Sequence, residues 1–147
     1  MKYIIQTSML ILLTAVSLNS TKAQPLKDHG NLSVKGTFIV DQNGNQVMLR
    51  GVSYGWHNWW PRFYNEKSVE WLVNDWNCNV VRAAMGVEPE DGYMQKPEWS
   101  QKKIESVIQG AIDNGIYVLI DWHSHGIQTE AAKTFFAEMA RKYGEYP

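Results

Sequence analysis

Asp121, His123 and His125 end an apolar run, Ile116-Tyr117-Val118-Leu119-Ile120, with a carboxylate and two imidazoles at alternate positions. Alternate residues of a strand share a face. Asp121 and His123 are therefore expected beside Leu119 on one side, and Val118, Ile120 and Trp122 on the other. His-x-His at a strand end allows two chemistries. Such imidazoles can ligate a metal, or, when neutral, act as donor and acceptor toward substrate hydroxyls and a catalytic acid. The second is preferred and no metal is assigned, because the only other histidines are His29 and His57. Arg82 adds a third group, in the middle of Val80-Val81-Arg82-Ala83-Ala84-Met85. A charge among small apolar residues is costly unless paired. Its expected partner is Asp121 or a carboxylate from a strand outside this chain. The pair is either structural or a device that holds and ionises a catalytic carboxylate through the rigid guanidinium fork.

Hydrolysis of a glycosidic bond would need two carboxyl groups, roughly 5–5.5 Å apart for retention and farther apart for inversion. Only Asp121 lies on a strand end; Glu88, Glu90 and Asp91 fall in a loop and read as a solvated face. No convincing pair is present. Aromatic rings crowd into residues 56–64, with Trp56, Trp59, Trp60, Phe63 and Tyr64 around His57. Such rings either pack the core and rim or offer flat apolar surfaces to the C–H faces of sugar rings.

These groups need a scaffold. Residues 34–41 and 46–49 read as strands joined at Asn43-Gly44, a hairpin signal. The second arm runs into a first parallel strand at Arg50-Gly51-Val52-Ser53. A helix is predicted around residues 68–76, starting near Asn65 or Lys67, with Val69, Leu72, Val73 and Trp76 on one face. A second strand follows at 80–85. Ser100 is the expected N-cap of a helix carrying Ile104, Val107, Ile108, Ala111 and Ile112, with Gly115 closing it. The apolar run from Ile116 is the third strand. Thr129 is the expected cap of a last helix buried through Phe135, Phe136 and Met139. The order βα, βα, βα predicts an α/β fold with parallel strands, covered by helices and bearing its chemistry at the strand C-termini.

Three such units do not close a barrel, which takes eight strands and about 250 residues. The expected fold is thus the N-terminal part of a TIM (β/α)8 barrel, with the hairpin closing the bottom. The domain plan is a signal peptide over 1–23, an extended lead-in over 24–33 and the first three βα units over 34–147. Lys2, the apolar stretch 9–18 and Ala23 make up the leader. The mature protein is therefore expected to be secreted, into the periplasm or beyond, with no membrane attachment after cleavage. A net charge of −1 gives no electrostatic case for nucleic acid. The single cysteine, Cys78, cannot form an intrachain disulfide and reads as a buried structural thiol.

From Val34 to Pro147 the chain resembles the N-terminal part of a glycoside hydrolase family 5 endoglucanase (cellulase), of the secreted bacterial kind. The stretches that carry the resemblance are Leu49-Arg50-Gly51-Val52-Ser53, residues 74–85 ending in Val81-Arg82-Ala83-Ala84-Met85, and Tyr117-Val118-Leu119-Ile120-Asp121-Trp122-His123. The resemblance implies a TIM barrel that hydrolyses β-1,4-glucan with retention, as a monomer and without a cofactor. It implies one Glu as acid/base after the fourth strand and another as nucleophile after the seventh. Arg82 matches the Arg beside the nucleophile, His123 the His of the substrate groove, and Trp59 an aromatic lining it. His125, Trp56 and, less directly, Trp60 are added as groove residues. Some relatives carry a His where Gly55 aligns, which makes His57 the candidate to replace it. In the family an Asn-Glu-Pro motif follows a Tyr-Pro-Asn-Val run. The chain stops at Tyr146-Pro147, so both catalytic Glu are expected beyond it and the chain by itself is expected to be inactive. The alternatives are a relative acting on mannan or xylan, a non-catalytic glucan-binding protein, and a metal-dependent amidohydrolase-like barrel argued only from His-x-His.

Overall fold

A computed structural model describes residues 25–126 and 128–147. The leader expected over 1–23 lies outside these residues. The elements are α1 (Pro25–His29), β1 (Ser33–Lys35), β2 (Phe38–Val40), β3 (Gly51–Ser53), α2 (Glu66–Trp76), β4 (Val80–Gly86), α3 (Pro97–Asn114), β5 (Tyr117–His123) and α4 (Thr129–Tyr143), with a short 3-10 turn at Pro61–Phe63. Strands β3, β4 and β5 form a parallel sheet in that order.

The strands form where apolar runs demand burial. β4 is the central strand, and Arg82 is the one residue along it that is neither fully buried nor apolar among Val80, Val81, Ala83, Ala84 and Met85. Val81, Ala83 and Met85 enter the main core with Val69, Leu72 and Val73 of α2 and Ile104, Val107, Ile108 and Ala111 of α3. Each fully buried Val or Ile contributes about 1.5–3 kcal/mol relative to exposure. Gly110 lets the two helices meet closely, because a Cβ there would lie 2.9 Å from Val69 Cγ2. From α4, Phe135 and Met139 reach the same core. Val118, Ile120 and Trp122 of β5 pack toward it, while Leu119 is 55 % exposed on the opposite face. The expected division of β5 into two faces is what the structure has.

Local signals set the helix ends. The Asn65 side chain accepts from Ser68 N–H at 3.0 Å and caps α2. Gly115, at φ +63°, closes α3 with its N–H on Ala111 and Ile112 carbonyls. Two expected caps are corrected. Ser100 does not start α3, which begins at Pro97, a residue suited to the first helical turn; Ser100 lies one turn inside, fully buried. Thr129 is the first residue of α4 and Gln128 occupies the cap without a side-chain bond.

The N-terminal segment also departs from expectation. The lead-in is not extended, since Pro25–His29 is a short helix. The hairpin ladder joins β1 to β2 within what reads as one strand, because Gly36 at φ +63° turns the chain. The arm after Asn43-Gly44 is reduced to a single bridge, Val40 to Gln46. Asp41 holds that turn through the Asn43 and Asn45 amides at 2.8 and 2.9 Å. This segment sits at the end where the strands begin: Leu26 N–H donates to Gly115 O, and Tyr117 OH donates to Gly30 O at 2.7 Å.

Candidate functional site

At the other end of the sheet the three strands deliver one polar cluster. Ser53 pairs with Arg82 in the β3–β4 register, and Ala84 with Asp121 in the β4–β5 register. Arg82 donates from Nη1 to Ser53 Oγ at 2.7 Å and from Nη2 to Asp121 Oδ2 at 2.6 Å. Of its two expected partners, Asp121 is the one present. His123 Nδ1 lies 3.0 Å from the same carboxylate oxygen and 2.8 Å from Arg82 Nη2. The imidazole donates there to Asp121 or accepts there from Arg82. Either way the ring is fixed by Nδ1, and Nε2 makes no hydrogen bond among the described residues. Arg82 and Asp121 remain about a third and a quarter exposed, at 32 % and 26 %, so the cluster opens to solvent.

The aromatic loop after β3 lies against this cluster. Trp56 is half-buried and sits 4.7 Å from the His123 ring and 5.6 Å from that of His125. Trp59 stacks on Trp56, with centroids 4.5 Å apart and planes at 19°. It presents its other face outward and is 59 % exposed. Trp60 turns away and packs with Phe63 under the Arg62 guanidinium. Arg82, His123, His125, Trp56 and Trp59 therefore lie together on one rim.

His57 does not join them. The expectation that it lines the groove is corrected, because it has no exposed surface. Its Nδ1 accepts from Gly86 N–H at 3.2 Å, which leaves the proton on Nε2 to be donated to Ser100 Oγ at 2.8 Å. Burial foremost, then the Lys103 charge, lower its pKa to about 4 and keep the ring neutral. The role is to nail the loop down: His57 N–H also donates to Ala84 O. Tyr64 does the same from the far end of the loop, its hydroxyl lying 2.7 Å from Gly55 O and 2.8 Å from Ala84 O. Burial pushes that phenol well above its ordinary value.

Three contributors escaped the sequence reading. Ser53 anchors Arg82, and the signal for it was its place at the end of the first parallel strand. In the sequence Tyr64 is only one ring among several. Glu88, read as solvated, bonds the backbone beyond β5. Among the described residues no three His, Cys, Asp or Glu side chains converge as metal ligands. Cys78 is buried as expected, and burial raises its pKa. No helix among the described residues is long and apolar enough to cross a membrane.

The arrangement is a flat aromatic surface beside fixed donors and acceptors, which suits a ring bearing hydroxyl groups. Residues 40–147 match the model of the cellulase family, glycosyl hydrolase family 5. Endoglucanase N of Pectobacterium atrosepticum is 38 % identical over 138 residues, covering 90 % of this chain and 31 % of that protein. An endoglucanase of Clostridium saccharobutylicum is 38 % identical over 144 residues, covering 93 % of this chain and 32 % of that one. The chain thus spans about a third of the length of the curated relatives it matches. Among solved structures, a protein from Cytophaga hutchinsonii is 49 % identical with a TM-score of 0.82, over 85 % of this chain and 41 % of that one. The catalytic domain of a Thermobifida fusca endoglucanase is 32 % identical with a TM-score of 0.78, over 84 % and 42 %. A variant of that domain has been solved with cellotetraose.

Proposed function

The chain belongs to glycosyl hydrolase family 5, the cellulases, and its three βα units are part of a (β/α)8 barrel; from there we propose that it belongs to a secreted, retaining endo-β-1,4-glucanase. The observation that carries this reading is the meeting of the Trp56–Trp59 stack with the Arg82–Asp121–His123 cluster on one rim.

Each group then has a task. Trp59, backed by Trp56, stacks on a glucosyl ring. His123 offers its unengaged Nε2 to a sugar hydroxyl, with His125 beside it. Arg82, braced by Ser53 and Asp121, holds the nucleophilic carboxylate ionised and oriented. The two Glu that perform the reaction come from parts of the barrel outside this chain, at the roughly 5–5.5 Å separation of a retaining pair. Export rests on the leader composition of residues 1–23. The protein acts as a monomer without a cofactor.

The test is to assay the full-length protein containing this chain on carboxymethyl-cellulose, mannan and xylan, and to follow the anomer released from cellotetraose by NMR. Preferential cleavage of the glucan with the β-anomer formed first is expected. Preference for mannan or xylan would move the substrate, initial α-anomer would refute retention, and binding without cleavage would leave a glucan-binding protein.

A further inference from the structure

Glu88 takes no part in the reaction described above, yet it spans the rim. Val87, the residue after β4, extends the sheet ladder by donating its N–H to His123 O at 3.2 Å. At the next position a side chain replaces the backbone. Glu88 Oε2 accepts from His125 N–H at 3.2 Å and Oε1 from Gly126 N–H at 2.8 Å. One carboxylate thus satisfies two donors that lie just past the end of β5. Burial alone would raise its pKa, but the Gly126 and His125 amides outweigh that and hold it below the ordinary value.

The mounting of Glu88 is stiff. Tyr93 N–H donates to Gly86 O, Met94 N–H to Val87 O and Gly92 N–H to Pro89 O, all within 3.0 Å, so the loop after β4 folds back on itself. The same loop is tied to the aromatic loop by Asn58 Nδ2, which donates to Glu90 O at 3.0 Å. His125, held through its amide, carries its ring 5.6 Å from Trp56. The loop after β4 is therefore a brace between the aromatic platform on one side and the loop after β5 on the other.

We propose that Glu88 is a positioning residue for glucan binding: by holding the His125 and Gly126 amides it fixes the loop after β5, and with it the His125 ring, against Trp56. This rests on the endoglucanase reading above. The step it serves is binding, since Glu88 is bonded to backbone amides and not to the Arg82–Asp121–His123 cluster.

The test uses the full-length protein containing this chain, with Glu88→Ala and Glu88→Gln. Kinetics on cellotetraose, cellotetraose binding by tryptophan fluorescence and amide hydrogen exchange at residues 125 and 126 are compared. Glu88→Ala is expected to raise KM and Kd about five- to tenfold while kcat stays within about twofold, and to speed exchange at both amides. Glu88→Gln, which keeps one acceptor oxygen, should fall between. Unchanged KM and Kd in Glu88→Ala would overturn the proposal, and so would kcat falling in parallel with folded signal. A wild-type protein that neither binds nor cleaves cellotetraose would instead remove the endoglucanase reading; faster exchange in the variant would then leave Glu88 with loop geometry only, which also overturns a role in glucan binding.

Discussion

Arg82 Nη2 reaches Asp121 Oδ2 at 2.6 Å by leaning two residues along the neighbouring strand, past its own register partner Leu119. Ala84, the residue paired with Asp121, follows Arg82 by two positions and so shares its face of β4. The pair is only partly shielded from water, so it contributes modestly to stability. Its effect is to fix the direction of a guanidinium that is already tethered to Ser53.

Arg82→Ala in the full-length protein should therefore cost far more activity than stability. A fall in kcat of about 100-fold or more is expected, the scale set by losing one preorganised charged donor, with a melting temperature lowered by only a few degrees. Arg82→Lys should not restore the rate, because an ammonium lacks the planar fork. Kinetics beside thermal unfolding check this; parallel loss of activity and fold would make the pair purely structural.

Trp59 is the most exposed ring of the rim stack, at 59 %. Trp59→Ala should leave folding almost untouched and weaken cellotetraose binding by about 1–1.5 kcal/mol, roughly tenfold in Kd. Titration calorimetry reads the affinity directly. An unaltered Kd would remove Trp59 from the binding surface.

His57 predicts an acid-side loss of stability. Its folded pKa of about 4 lies below the ordinary value of 6.5. Between those values the unfolded chain takes up a proton that the folded one refuses. The stability conferred by the neutral buried ring is therefore complete above pH 6.5 and declines as the pH falls from 6.5 to 4, by about 1.4 kcal/mol per unit and about 3 kcal/mol in all. Urea unfolding of the full-length protein at pH 7 and pH 4.5 should show this slope, and His57→Gln should flatten it. An equal slope in the variant would assign the acid sensitivity to other groups.

The 147-residue chain on its own should be poorly stable and catalytically silent. β3 and β5 are sheet edges, and Leu119, Trp71 and Trp76 expose apolar surface; such edges and patches favour association. ANS binding and a broad thermal transition are expected, with no reducing sugar released from carboxymethyl-cellulose. Clear hydrolysis by the isolated chain would contradict the assignment of both catalytic carboxylates to other parts of the barrel.

The parallel strands, the helices between them and the two faces of β5 were legible because each depends on local periodicity. The alternation of Val118, Ile120 and Trp122 against Leu119, Asp121 and His123 follows from the pleat alone. The same logic put Arg82 and Asp121 on one face and made their pairing expected. The hairpin departs from its sequence pattern where a positive φ at Gly36 breaks a run that looks continuous in sequence.

What tertiary structure decided is where the loop residues face. His57 and Trp56 are neighbours in a ring-rich loop, and nothing in their types says that one is sealed in the interior and the other lies over His123. That choice depends on the Gly86 amide and the Ser100 hydroxyl, which the sheet and α3 bring to His57 from 29 and 43 residues away. Glu88 likewise looks like a solvated carboxylate until β4 and β5 align and present two unpaired amides within its reach. A strand's faces are set by its own covalent geometry; a loop side chain takes whichever partners the packed elements bring to it.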